Sequence, residues 1–332
     1  MTRFGTAANV AAMGIRKRRW LPWLLGVVAA AVLPRAAHAD DNDLVLSRLG
    51  EITGSGGVLD VNPDNKAFRA LASELGVVMA PKPMSPADTM GYSGFQFSTE
   101  LSINTINGDS PYWRAAEGAD VTDPMNPKHS SSIPTVGIFV RKGMWLPLPS
   151  FEIGAGALKL FDSNMWSMQV FGKLALHEGY DSWPLPSLAV RGAAARLMGT
   201  DQIDLTVASV DVSLSKRFGV QGTWAAEPYA GGNMLWIIPR SEVVDATPNI
   251  DASANPADIR LNFVFPEQDD IRRIRFFLGM KLRYYLFSVT FEAEHVLAGS
   301  TTDVRVENGN RIEVKDEAGS QQTYAVSLSM DL

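Results

Sequence analysis

The sequence predicts an all-β fold: an antiparallel up-and-down transmembrane β-barrel of about ten strands, with twelve the other count the pattern allows, behind a short N-terminal helical segment. Three observations carry this reading. Apolar and polar residues alternate with period two over ten segments, and a period of two is the signature of a strand with unlike faces. The connections between the segments mostly alternate between long and short, as in up-and-down barrels with both chain ends in the periplasm, with Asp162-Ser163-Asn164 a tight connection where a long one is expected. The closing stretch, TYAVSLSMDL, keeps its alternation to the C-terminus.

From the N-terminus, Arg16-Lys17-Arg18-Arg19 precede the apolar run Trp20 to Leu33 and the small-residue sequence Ala37-His38-Ala39. That order is a secretory signal peptide with cleavage expected after Ala39, so residues 1–39 leave the chain. The run is shorter than the roughly 20 residues a spanning helix needs. Six of the 30 basic residues lie before Asp40, leaving 24 against 36 acidic ones, a balance near −12. An acidic chain of this kind argues against nucleic acid as a partner, since phosphate neutralisation needs a basic patch. With no cysteine, the redox state of the compartment is immaterial.

Residues 40–90 read as an N-terminal segment, either periplasmic or plugging the lumen, and 91–332 as the barrel. Within the segment, Asn62 is the expected N-cap, Pro63 the first helical residue, and Phe68, Leu71 and Leu75 an apolar stripe that ends at Gly76. The following APKPMSP, Ala80 to Pro86, reads as a linker, because three prolines suit neither helix nor sheet.

The ten strands are expected at Phe95 to Asn104, Ile133 to Lys142, Phe151 to Phe161, Trp166 to His177, Leu188 to Leu197, Leu205 to Arg217, Thr223 to Trp236, Arg273 to Arg283, Phe287 to Val296 and Thr323 to Leu332. The eighth and ninth show the pattern best. Ile274, Phe276, Leu278, Met280 and Leu282 share one parity, Arg273, Arg275, Lys281 and Arg283 the other, and a tight turn at Tyr284-Tyr285-Leu286 folds them into a hairpin. Its register is expected to place Lys281 near Thr290 and diagonal to Glu292. The stretch DIRLNFVF, Asp258 to Phe265, alternates too, and either extends the wall or adds a strand. Trp145, Trp183, Phe218, Tyr284 and Tyr285 gather at the short turns, with Trp166 and Trp236 near the opposite ends, as two aromatic girdles would.

If the apolar parity faces lipid, the other parity lines the lumen. There the sequence places Glu100, Arg141, Lys173, Arg191, Asp211, Glu227, Arg275, Lys281, Arg283, Glu292 and Glu294. Ten strands enclose a narrow interior, so charges of both signs are expected to pair and plug it. The competing reading is a soluble secreted barrel or sandwich with an apolar core, which shares the alternation and reverses the faces.

Catalysis finds little support. His129 beside Ser130, Ser131 and Ser132 is the one candidate for a rim hydrolase acting on lipid or peptide, while His177 and His295 read as strand-end residues. The acidic connection carrying Glu242, Asp245, Asp251, Asp258, Glu267, Asp269 and Asp270 matches no calcium-loop spacing, so neither a metal nor a cofactor is expected.

The last strand, with Tyr324, Val326, Leu328, Met330 and Leu332 on alternate positions, resembles the closing strand of Gram-negative outer-membrane barrels, departing from it in ending on leucine rather than an aromatic. The resemblance covers the chain from about Phe95. It implies export to the outer membrane, contact with outer-membrane lipid and lipopolysaccharide, and recognition of the C-terminus by the barrel-assembly machinery. The function expected is a structural barrel or narrow conduit without catalysis. The other reading is a gated transporter of small hydrophobic compounds, similar to those whose N-terminal hatch lies in the lumen.

Overall fold

The computed structural model describes residues 43–55, 58–116, 131–145, 150–179, 185–220, 223–247, 261–268, 271–307 and 310–332. Residues 1–39, where a signal sequence is expected, Trp183 and the His129-Ser130 site lie outside them. A hairpin comes first, β1 (Gly50–Ser55) and β2 (Val58–Pro63), followed by helix α1 (Asn65–Met79). Then come β3 (Phe95–Thr105), the short helix α2 (Pro111–Ala116), β4 (Ser132–Met144), β5 (Phe151–Leu160), β6 (Trp166–His177), β7 (Ser187–Met198) and β8 (Ile203–Ser215). The chain continues through β9 (Phe218–Val220), β10 (Trp224–Ser241), β11 (Val244–Asp245), β12 (Asn262–Phe263), β13 (Ile271–Tyr284), β14 (Phe287–Val296), β15 (Thr302–Glu307), β16 (Asn310–Lys315) and β17 (Gln321–Asp331).

Ten of these strands close a ring. Each of β3 to β8 pairs antiparallel with the next, β8 pairs with β10, β10 with β13, β13 with β14, β14 with β17, and β17 returns to β3. The seam between first and last strands continues to the chain end, where Leu332 and Phe95 exchange both main-chain hydrogen bonds at 2.7 and 2.9 Å. The ten ring strands are those the alternation predicts. The strand β9 pairs only with β10, outside the ring. Of DIRLNFVF, the first three residues lie outside the described ones, and Asn262–Phe263 pairs with Val244–Asp245 in a small ladder off the ring. The β10–β13 pair runs further than expected, to Ile237↔Ile271, and β8 ends at Ser215 rather than Arg217.

The faces settle the competing reading. On β3, Phe97, Leu101 and Ile103 are exposed while Gln96, Ser98, Glu100 and Ser102 are buried, and β13 and β17 repeat the arrangement. A soluble barrel would show the reverse. On β13 the outward positions between Arg272 and Tyr284 are all apolar. At about 3.4 Å per residue and a tilt near 40°, that belt is roughly 30 Å tall, the thickness of a bilayer's hydrocarbon core. Exposed aromatic residues border it at the short-turn end: Trp145 packs edge-on against Tyr92, and Tyr284 lies against both Trp224 and Tyr285.

Helix α1 begins two residues later than the sequence suggests. Pro63 ends β2, and Asp64 is the N-cap, accepting from the main-chain N–H of Lys66 and Ala67 at 3.1 and 3.0 Å. Gly76 lies inside the helix instead of ending it. A Cβ there would stand 2.5 Å from Ile237, so the glycine serves a close approach of helix to barrel wall.

Gly279 does similar work inside the wall. It lies in register between Tyr229 on β10 and Glu292 on β14, and a Cβ would meet the Tyr229 ring at 2.2 Å. Without one, the ring crosses the strand and its hydroxyl donates to Glu292 at 2.7 Å. Substituting Gly279→Val is therefore expected to displace Tyr229 and take from the buried Glu292 carboxylate one of its two donors. The folded barrel should then lose its resistance to unfolding in detergent gels at temperatures the native protein withstands.

Candidate functional site: a lumen filled by the N-terminal segment

The ring has a loop end, where β3–β4, β5–β6, β7–β8, β10–β13 and β14–β17 connect, and a turn end with the remaining connections. At the loop end the inward residues are apolar: Ile133, Leu160, Leu197, Leu205, Ile237 and Ile271 form one buried cluster with Phe68, Leu71, Leu75 and Met79 of α1. The helix thus closes that mouth with an apolar layer. Phe68 stacks on Phe265 at 4.3 Å, bringing the β10–β13 connection over it.

The segment's polar groups fasten every loop-end connection to this lid. Glu74, fully buried, accepts from the Tyr112 hydroxyl (2.8 Å), Trp113 Nε1 (2.6 Å) and the N–H groups of Asn107 (3.0 Å) and Gly319 (2.9 Å). Arg69 donates to Gln268 at 2.7 Å and Thr301 at 2.9 Å, and the Ser73 hydroxyl to Asp316 at 2.8 Å. Asp43 accepts from Ser163 and Asn164, and Gln202 accepts from the Leu46 N–H at 2.6 Å. All five connections are held by one segment.

Two of these groups titrate abnormally. Burial, with the Ser73 and Ala318 hydrogen bonds and Arg273 opposing it, raises the Asp316 carboxyl. Burial and then the Glu74 charge push the Tyr112 hydroxyl up to about 12. A phenol whose folded pKa exceeds its unfolded one contributes stability that is complete below about pH 10 and is lost as pH rises through 12. Alkaline titration followed by tyrosinate absorbance should show loosening of the loop end in that window, and Tyr112→Phe should remove it.

From Ala80 the chain runs through the lumen to the turn end, where β3 starts. The residues read as a linker are therefore the lumen's contents. Four wall cations donate to the segment's carbonyls: Arg191 to Pro81, Lys82 and Pro83, Arg141 to Pro83 and Met84, Arg275 to Pro81, and Lys173 to Pro86 and Asp88, at 2.6 to 3.5 Å. Wall acceptors take its N–H groups: Glu292 from Met84 (2.9 Å), Ser215 from Ala87 (3.0 Å), Glu178 from Thr89 (2.8 Å) and Glu152 from Met90 (3.2 Å). The prolines now have a physical reason. A wall rich in cationic donors suits a segment that offers carbonyls, and proline offers one without an N–H to satisfy.

The same cations pair with carboxylates on neighbouring strands. Arg191 meets Asp211 at 2.9 Å, Arg275 meets Glu294 at 3.3 Å, Lys173 meets Glu152 at 3.4 Å and Arg141 meets Glu100 at 3.7 Å. Strand register links Glu152, Lys173, Arg191, Asp211, Asn233 and Arg275 into one row across β5 to β13. Both the Arg141 and Arg191 guanidinium groups lie 5.4 Å from the centre of the Phe171 ring. Nearer the turn end, Arg283 reaches Asp331 at 3.1 Å and Glu227 at 3.9 Å, and Glu227 also takes Arg217.

All eleven charged residues placed in the lumen from the sequence point inward, with one difference of pairing. Lys281 is opposite Thr290 as expected, yet its ammonium meets Asp331 at 3.1 Å and not Glu292. Glu292 faces Gly279 in the register and is taken by Tyr229 and Met84. Sequence reasoning missed Glu152, Tyr229 and the lid residues Arg69, Ser73 and Glu74, which carry no alternation of their own. On β17, Tyr324, Leu328 and Met330 face outward and exposed, Val326 outward and half-buried, and Leu332 ends the seam.

His177 ends β6 at the turn end and His295 points outward from β14. Among the described residues, no group of three or more His, Asp and Glu gathers as metal ligands would. The ring, its apolar exterior and its polar interior decide the architecture. The chain has a transmembrane-type β-barrel fold.

No protein-family model and no curated relative matches the chain. Among solved structures it is similar to the outer membrane protease OmpT of Escherichia coli (9% identity, 73% of this chain and 94% of that one, TM-score 0.31). It is also similar to the β domain of the Bordetella autotransporter BrkA (11%, 72% and 99%, 0.30) and to Ail, the attachment invasion locus protein of Yersinia pestis (7%, 73% and 99%, 0.25). These are barrels of differing function, and the assignment of this fold rests on its own ring closure.

Proposed function

We propose that the protein is an exported outer-membrane β-barrel held shut by its own N-terminal segment, a structural barrel without catalytic role whose loop end faces outward. The observation that carries this is the course of residues 80–90 through the lumen, with donors and acceptors of the wall matched to the segment's carbonyl and N–H groups. An interior whose charges are taken up by one another and by the segment leaves no aqueous path and presents no reactive group to a substrate. The longer connections at the loop end and the aromatic border at the turn end support the orientation.

Planar-bilayer recording of the refolded protein tests the reading. Insertion without conductance is expected, and steady conductance overturns it. A gated transporter is the second reading, favoured by the lumenal position of an irregular, proline-rich segment. The charged middle of the lumen suits polar solutes better than the small hydrophobic compounds such a hatch would imply. Loss of uptake of those compounds on gene deletion would support transport, and unchanged uptake would reject it.

A further inference from the structure

The lumenal segment has a direction. Its first described residue, Asp43, is held at the loop end by Ser163 and Asn164 of the β5–β6 connection, and Gly50 at the base of the β1–β2 hairpin lies against Phe263 of the β10–β13 connection. From Ala80 the chain crosses to the turn end, where Lys142 donates to the Tyr92 and Ser93 carbonyls and β3 begins at Phe95. A plug that entered and left by the turn end would keep its N-terminal side there. This one passes through, so residues 43–79 and the start of β3 lie beyond opposite margins of the apolar belt.

The passage is too narrow for what lies at its far end. Arg141 on β4, Arg191 on β7 and Arg275 on β13, three strands spaced around the ring, all reach carbonyls between Pro81 and Met84 within 3.5 Å. The lumen at that level is one chain wide. A helix with its side chains is about 10–12 Å across, and the apolar stripe of α1 would have to be drawn past buried ion pairs. Threading α1 end-on through a closed ring is therefore ruled out. The strand order supplies another route, because the segment runs directly into β3, one side of the β3–β17 seam. Until the last strand pairs with β3, residues 80–90 can be laid into the lumen from the side.

We infer that the protein carries the N-terminal part of its own chain to the outer face: the ring closes around residues 80–90, and residues 43–79 are displayed beyond the membrane. The inference rests on the outward orientation of the loop end proposed above. The part presented most fully is the β1–β2 hairpin, where Glu51, Ile52, Thr53, Gly54, Leu59 and Asp60 are exposed. It is fixed at its base, where the Asp64 N–H donates to the Leu49 carbonyl at 2.8 Å. The bonds of Arg69, Ser73 and Glu74 to the loop-end connections then latch the displayed part against return.

The chain has no cysteine, so a single introduced thiol reports its own position. Thr53→Cys on the hairpin, Ser300→Cys on the β14–β17 connection and Ser93→Cys at the turn end all replace exposed residues. Each variant, once shown to be folded by heat-resistant migration in detergent gels, is treated in intact cells with a polyethylene glycol maleimide too large for the outer membrane. Thr53→Cys and Ser300→Cys should react as fully as in lysed cells, and Ser93→Cys only after lysis. A reactive Ser300→Cys with a Thr53→Cys that reacts only after lysis, or not at all, overturns the display alone. A protected Ser300→Cys, or a Ser93→Cys reactive in intact cells, overturns the outward orientation on which it rests. The order of closure is read by refolding denatured Thr53→Cys that already carries a biotin–streptavidin adduct. A yield equal to that of the unmodified protein, with no conductance in planar bilayers, is expected. A several-fold loss of yield, or a folded adduct that conducts, overturns closure around the segment.

Discussion

Replacing Arg191 with leucine is expected to destabilise the barrel by about 3–5 kcal/mol, because it leaves the buried Asp211 carboxylate without its cation. Asn233 Nδ2, at 3.3 Å from the same oxygen, is a neutral donor and cannot balance the charge. The substitution also removes the donor to three successive carbonyls of the lumenal segment, at Pro81, Lys82 and Pro83. The two losses separate in the double variant Arg191→Leu/Asp211→Leu. With neither charge present, most of the stability should return, since an ion pair replaced as a unit costs little. Attachment of the segment should not return. The double variant is thus expected to unfold near the native temperature while showing conductance bursts in planar bilayers. A double variant as silent as the native protein would mean that the lid at the loop end seals the barrel without help from the lumen.

Glu74→Ala is the second large effect. Four donors from two connections converge on this carboxylate, and all four are neutral. An unsatisfied buried donor costs about 1–3 kcal/mol, and some of these recover water once the loops move, so a net loss of about 3–5 kcal/mol is expected. The local signature is more telling than the total. Residues 106–131 and 297–320 should become protease-sensitive in a barrel that remains inserted. Glu74→Gln should cost less, because the Tyr112 hydroxyl can accept from the new amide, leaving the Gly319 N–H as the main group without a partner. Equal protease resistance in native and Glu74→Ala proteins would show that the apolar packing of α1 alone holds the loops.

Most of the ring was legible because one face of each strand meets lipid and the other does not. That contrast forces period-two alternation on β3, β13, β14 and β17, and their limits follow within a few residues. The strand β8 shows where the same rule fails. In IDLTVASVDVSLS the inward residues begin apolar, Ile203, Leu205 and Val207, and become polar at Ser209, Asp211 and Ser213. The outward ones change in the opposite sense, from Asp204 and Thr206 to Val210, Val212 and Leu214. This reversal of phase marks the place where the wall rises above the lipid and its interior packs against α1. Read as such, it would have announced an apolar lid.

Alternation and composition by themselves determined the strand class, the positions of the ring strands to within a few residues and the terminal strand as the closing one, and left the count between ten and twelve. These are consequences of each residue's immediate surroundings, which repeat along the chain. Only the tertiary structure decided that APKPMSP threads the lumen, that Glu74 ties two distant connections to a helix, and that Lys281 pairs with Asp331 rather than Glu292. Each of those depends on which groups from far apart in sequence arrive at one point. A donor-rich wall and a proline-rich segment complement each other physically, yet nothing in either stretch names the other until closure of the ring brings them within hydrogen-bonding distance.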